Sequence, residues 1–225
     1  MDSYHPATVY SSIDEGGRYA YGNQPRIAQW NLARLAEALL PLLAENTDDT
    51  VKQAQGAIDG FAARFETAYE AGFRRKLGLF QARLGDPSLA QDILELMALG
   101  GADFTLTFRL LCDAAADPEA DASVRSLFAD PMAFDAWAAR WRLRLAEEGG
   151  EPEERRAAMR GANPQFIPRN HLVEEAILAA VNGDFSPFET LLTVLSRPYD
   201  DHSGLERYAA PPRPDQIVRQ TFCGT

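Results

Sequence analysis

The chain has 225 residues, 46% of them hydrophobic, 24% charged and 10% aromatic, proportions that exclude wholesale disorder and fibrous repeats and leave room for a real core. With 22 basic against 33 acidic residues the net charge is −11, which argues against nucleic acid as a partner, since phosphates need a basic footprint. Two cysteines cannot make a disulfide scaffold, no basic-then-apolar segment opens the chain, and the longest greasy stretch, Leu35–Ala44, carries Glu37 and Pro41. The expectation is a cytoplasmic protein with reduced thiols and no membrane partner.

Residues 1–25 are rich in Ser, Gly, Tyr and Asp, lack a lasting period, and read as loop with one short helical turn. Pro25 suits the first turn of a helix carrying Ile27, Trp30, Leu35, Leu39 and Leu42, which Pro41 kinks or ends. Apolar residues from Val51 through Phe61, Phe65 and Phe73 to Phe80 recur at three- and four-residue steps and predict one long helix over about 49–84. Both lysines, Lys52 and Lys76, fall on it.

Ser88 with Gln91 resembles a capping box for a helix through Leu99, and Asp103 starts another carrying Phe104, Phe108 and Leu111. Asp130-Pro131 pairs a cap with a first-turn proline ahead of Phe134, Trp137, Trp141 and Leu145. His171–Val181 is a helix stopped by Asn182-Gly183, and Ser186-Pro187-Phe188-Glu189 opens the next, to Leu195. The tail after Pro198 is irregular. The acidic runs 113–121 and 147–154 read as solvated surface. No alternating strand pattern or repeat is present, so the fold class is mainly α.

The chemistry is sparse. His5, His171 and His202 have no metal-ligand spacing, neither cysteine sits in a CxxC, and no phosphate-binding glycine loop occurs. Cys112 lies on an apolar helix face, as a core residue would. Cys223, three residues from the end, is either incidental or an available thiol.

Two segments are denser in functional groups than a plain helical domain requires. Asp14–Pro25 packs Asp14, Arg18, Tyr19, Tyr21 and Asn23 into an irregular loop, which is either a binding element or a loop pinned by its tyrosines. Asn163–His171 has two prolines that force an extended approach to a helix, and Arg169 is placed to pair with a carboxylate.

Four strings, DEGGRYAYGNQP (14–25), WNLARLAEALLPLL (30–43), NPQFIPRNH (163–171) and GDFSPFETLLTVLSRPYD (183–200), resemble the selenoprotein O family of protein adenylyltransferases. Tyr208–Pro212 and a cysteine near the carboxyl end fit the same pattern. The resemblance implies a protein-kinase-like fold, of which this chain is the helical C-lobe with family-specific C-terminal helices. It implies transfer of AMP from ATP, with magnesium or manganese, to hydroxyls of protein substrates.

The family's glycine-rich loop, phosphate-contacting residues, catalytic Asp-Asn pair and metal-binding Asp all precede the position matching Met1. The resemblance therefore carries no catalytic, cofactor-binding or metal residue onto this chain, and Asp2 is not promoted to metal ligand. Residues 1–25 correspond to the activation segment, with Asp14, Arg18, Tyr21 and Asn23 as its candidate residues. Residues 26–200 are the helical lobe and extension, and 201–225 the tail, where Cys223 is a redox candidate as counterpart of a selenocysteine.

The expected chain binds neither ATP nor metal well by itself, has the missing N-terminal half as a partner if the gene is split, and exposes apolar surface. The alternative is a non-catalytic helical interaction module built on the same scaffold.

Overall fold

In a computed structural model the structure is described for residues 1–43 and 47–222. It is mainly helical, as the periodicity predicts. Ten α-helices form among the described residues: α1 (Gln24–Leu43), α2 (Thr47–Asp59), α3 (Phe61–Lys76), α4 (Asp86–Gly100), α5 (Phe104–Ala114), α6 (Asp121–Arg125), α7 (Pro131–Glu148), α8 (Pro152–Arg160), α9 (Asn170–Val181) and α10 (Ser186–Ser196). The only extended pairing among those residues is one antiparallel bridge, Ser3 with Asp103. No described helix is long and apolar enough to cross a membrane.

The long helix expected over 49–84 is two helices. Gly60 separates α2 from α3, and α3 ends at Lys76, where Gly78 takes φ +72°. Glycine gives the backbone that left-handed freedom and costs helix stability, so the apolar period crosses a break it cannot register. Two expected caps also shift. Ser88 is the third residue of α4, which opens at Asp86 behind Gly85, and Gln91 bonds Glu95 instead at 3.0 Å. Ser186 is the first residue of α10, and its N–H donates to Asp184 Oδ1 at 2.9 Å. Asp103 and Asp130 do cap: Asp103 Oδ1 accepts from Leu106 N at 2.7 Å, and Asp130 Oδ1 from Met132 N and Ala133 N at 3.0 and 3.1 Å.

The chain divides into two compact units. The larger comprises Met1–His5 and Gly72–Arg219. Its core gathers Leu77 and Leu79, Ile93, Leu94 and Met97 of α4, Phe108, Leu111 and Cys112 of α5, and Phe134, Trp137 and Trp141 of α7. The two indoles stack at 5.5 Å. Each also satisfies its N–H on a buried carbonyl at 2.9 Å, Trp137 on Leu89 and Trp141 on Leu77, as buried tryptophan requires. Cys112 is buried, as its apolar face predicts, and burial pushes its thiol up. A smaller core of Phe166, Leu172, Leu191, Val194 and Tyr208 lies under the α9–α10 pair.

The acidic runs are less solvated than their composition suggests. Glu148 is withdrawn from water and ion-pairs with Arg144 at 2.6 Å. Asp113 pairs with Arg160 at 2.8 Å, and Asp121 with Arg142. Charge density in sequence does not show that arginines meet it, Arg144 from the same helix and Arg160 and Arg142 from other helices.

The smaller unit comprises Pro6–Ala71 with the described tail residues 220–222. Here α1 and α2 pack together, with Gln29 Nε2 reaching Ile58 O at 3.4 Å. Phe61, Phe65 and Tyr69 stack along α3 at four-residue steps, with centroids 6.0 and 5.7 Å apart.

Candidate functional site

The first residues of the chain are held as if they matter. Tyr4 N donates to Ala102 O at 3.0 Å, Phe104 N to Asp2 O at 2.8 Å, and Thr105 Oγ1 to Met1 O at 3.1 Å. The Tyr4 ring stacks on Phe104 at 5.8 Å. Residues 1–4 therefore run along the turn that opens α5, joined to it by the single Ser3–Asp103 bridge.

Arg169 locks that arrangement. It is the residue before α9, and its N–H turns back over Pro168 to Ile167 O at 2.8 Å. Its guanidinium is fully buried and bridges Asp2 and Asp103, with Nη1 to Asp103 Oδ2 at 2.7 Å. Asp103 thus works twice, as cap of α5 and as counter-ion. His171 lies beside this cluster, and its Nδ1 is buried without a partner. Burial lowers the imidazole's pKa, and Asp2 opposes that shift. Asp2, Asp103 and His171 border a cavity of about 470 Å³, closed on another side by Pro211, Pro212 and Ile217 of the tail.

Asn163, at the other end of the same connector, is a second buried hub. Its Nδ2 donates to Lys76 O at 2.9 Å, and its Oδ1 accepts from Lys76 Nζ at 3.2 Å. Its carbonyl accepts from Arg109 Nη1 at 3.1 Å, and the same guanidinium reaches Asp201 at 2.7 Å. The sequence flags Arg169 and the connector. It does not flag Asp2, Arg109 or Lys76, whose partners lie up to 167 residues away.

In the smaller unit the structure brings Asp14, Arg18, Tyr21 and Asn23 into one loop. The Asp14 carboxylate accepts from Arg18 N and Tyr19 N, both at 2.7 Å. Asn23 Nδ2 donates to Gly17 O at 2.8 Å, with Gly17 at φ +63°. Tyr21 N reaches Thr8 O at 3.0 Å, and its side chain hydrogen-bonds Tyr69. The Arg18 guanidinium lies 4.4 Å above the Trp30 ring. Asp14, Asn23 and Tyr21 thus set the loop's shape, and Arg18 is spread on an aromatic face as a cation–π pair.

The tail joins this loop. Ser12 N donates to Thr221 O at 2.7 Å, Thr221 N to Ser12 Oγ at 3.2 Å, and Thr221 Oγ1 to Tyr10 O at 2.9 Å. Cys223 lies outside the described residues.

The donors among the described residues do not suit magnesium or manganese. Asp2 and Asp103, the carboxylates nearest the start of the chain, already answer to Arg169. Among the described residues no three His, Cys, Asp or Glu side chains converge as a metal set.

A helical lobe whose first residues are clamped to its core, followed by a self-laced loop, is the class of structure these features define. The sequence matches the family described as Protein adenylyltransferase SelO over residues 1–196, and the chain belongs to that family. It is similar to the Protein nucleotidyltransferase YdiU of Bradyrhizobium sp. (strain ORS 278), 59% identical over 226 residues that cover all of this chain and 46% of the relative. The proteins of that name from Methylorubrum extorquens and Rhodopseudomonas palustris are 58% and 55% identical, again over the whole chain and 47% and 46% of the relatives. The chain spans about half the length of the curated relatives it matches.

Proposed function

We propose that this chain is the helical C-lobe portion of a protein adenylyltransferase that moves AMP from ATP to Ser, Thr or Tyr hydroxyls, and that alone it neither binds ATP well nor transfers AMP. The observation that carries the reading is coverage: relatives named protein nucleotidyltransferases match every part of this chain with less than half of their own length. In the whole protein, a substrate hydroxyl oxygen would bond to the α-phosphorus as the bond to the β-phosphate oxygen breaks and pyrophosphate leaves. Catalysis of that kind rests on positioning and on stabilising charge. The cations and carboxylates described above are mostly committed to one another, which supports a positioning role for this part. Arg169 and Asp103 fix the start of the segment corresponding to the activation segment, and Asp14, Tyr21 and Asn23 shape its loop.

Isothermal titration of the purified chain with ATP and magnesium tests the reading. No binding heat is expected from the isolated chain. AMP transfer to protein is expected once the chain is joined to the unmatched portion of the Bradyrhizobium relative. Micromolar ATP binding or autoadenylylation by the pure chain overturns the inactive-portion reading, and a joined protein without transfer favours the non-catalytic interaction module.

A further inference from the structure

The last turn of α3 carries Arg74, Arg75 and Lys76. Basic residues there complement the helix dipole, which accounts for their presence but not for what surrounds two of them. Arg75 and Lys76 border a cavity of about 480 Å³ within the larger unit, together with Gly72, Phe80, Gly161 and Tyr199. Among the described residues no carboxylate lines this cavity, and neither cation has an ion-pair partner. Lys76 Nζ is held only by uncharged acceptors, Ala162 O at 3.3 Å and Asn163 Oδ1 at 3.2 Å. It also faces the rings of Phe104 and Phe108, 5.6 and 5.3 Å away.

In a chain with 33 acidic residues, a half-buried ammonium and the exposed guanidinium next to it both lack a counter-ion at one cavity. Their electrostatics agree. Burial lowers the Lys76 ammonium to about 8, the neighbouring Cys112 opposes that, and the Arg75 charge adds to it. An ammonium in that condition lacks a nearby negative charge. At the rim Phe80 and Tyr199 are half exposed, giving flat apolar surface beside the cations.

We propose that this cavity binds a small oxyanion carried on a flat ring, with Lys76 and Arg75 as its counter-charges and Phe80 and Tyr199 flanking the ring. The site goes beyond the adenylyl-transfer reading and does not depend on it.

Phenyl phosphate is the probe, phenol its uncharged control. Lys52 and Lys76 are the only lysines, so selective labelling of lysine side chains gives two NMR signals, one of them an internal reference on α2. Phenyl phosphate is expected to shift the Lys76 signal saturably, leave Lys52 unmoved, and raise the Lys76 titration midpoint, because a paired ammonium holds its proton more tightly. Arg75→Gln should weaken binding by on the order of tenfold, as loss of a charged partner does.

Gly72→Leu supplies a variant that keeps both cations. A Cβ at Gly72 meets nothing within 4 Å, so the larger side chain enters the cavity from an α-helix that tolerates it. Circular dichroism should be unchanged and binding lost. The proposal is overturned by the absence of a saturable Lys76 shift below about 10 mM probe, by equal affinity for phenol, or by unaltered binding in folded Gly72→Leu.

Discussion

Arg169 and Asp103 stand 66 residues apart in sequence and meet at 2.7 Å with both side chains withdrawn from water. The pair closes a triangle with Asp2, so the beginning of the chain, the cap of α5 and the entry to α9 share one guanidinium. Removing one member of such a cluster strands the others. Arg169→Met is expected to cost about 3–5 kcal/mol in urea unfolding, because the buried Asp103 and the partly exposed Asp2 lose their counter-charge. Amide exchange should quicken first at Tyr4 and Phe104, whose N–H groups bond across the clamped segment. Unchanged stability would mean that the cluster is hydrated and dispensable.

Lys76 makes stability depend on pH in the direction opposite to a paired lysine. Its folded pKa of about 8 lies below the ordinary 10.5, so between those values the unfolded chain binds more protons and stability rises with pH. The penalty is fully present below pH 8 and fades by about pH 10.5. Cys112, Tyr10 and Tyr69, all raised by burial, act with the opposite sign over neighbouring values. The measurable quantity is therefore the difference from Lys76→Met, which should close by about 3 kcal/mol between pH 8 and 10.5. A flat difference removes the claim that Lys76 is buried without a counter-ion.

Two glycines separate backbone strain from crowding. Gly17 and Gly78 both hold positive φ, at 63° and 72°. A Cβ on Gly17 meets Val9 no closer than 3.7 Å, whereas one on Gly78 falls 2.7 Å from the buried Met159 sulfur and 3.1 Å from Arg155. Gly17→Ala should cost about 1–2 kcal/mol for the left-handed conformation alone. Gly78→Ala adds overpacking of about 1–3 kcal/mol, and a thermal melt of the two variants should separate them clearly.

Much of the fold was legible because its signals are local. Asp103 and Asp130 announce their helices by side-chain chemistry three residues long, and the stripe through Phe134, Trp137 and Trp141 needs only its own spacing. What escaped is non-local or rests on a single backbone angle. Gly60 interrupts α2 and α3 without disturbing the apolar period. Glu148 looks like one more surface acid until the N–H groups of Phe80 and Gln81 meet it. At the candidate site, Arg169 was visible as an arginine after a proline in need of a carboxylate. Which carboxylates it finds is a property of the tertiary fold, since Asp2 lies 167 residues away. The loop residues Asp14, Tyr21 and Asn23 were legible as a cluster, but their bonds inside the loop come only from the structure.

The α9–α10 pair leaves Leu178, Val181, Phe185, Phe188 and Leu192 substantially exposed. Apolar surface of this extent favours self-association over solubility. Leu178→Lys with Phe188→Glu is expected to lower the sedimentation-derived self-association of the isolated chain and leave its melting temperature within error. A fall in melting temperature would show that these side chains pack more tightly than their exposure indicates.

Ion pairs of similar geometry should differ sharply in value according to burial. Arg144 pairs with Asp86 at 2.7 Å and Glu148 at 2.6 Å, and the two carboxylates are 1% and 2% exposed. Glu148 also accepts from the N–H groups of Phe80 and Gln81, at 3.1 and 3.2 Å, so it ends the chain's turn after α3 as well as balancing charge. Arg125 grips Asp135 through two nitrogens, at 2.8 and 3.1 Å, on open surface where both side chains are about half exposed. Solvent and salt screen the second pair, while the first sits where leaving a partner unmatched is expensive. Glu148→Ala should lower unfolding free energy by about 2–4 kcal/mol, through two freed N–H groups and a guanidinium left with one carboxylate. Arg125→Gln should leave the melting curve where it was, in low salt and high salt alike. Equal effects from the two substitutions would show that burial does not set the strength of these pairs.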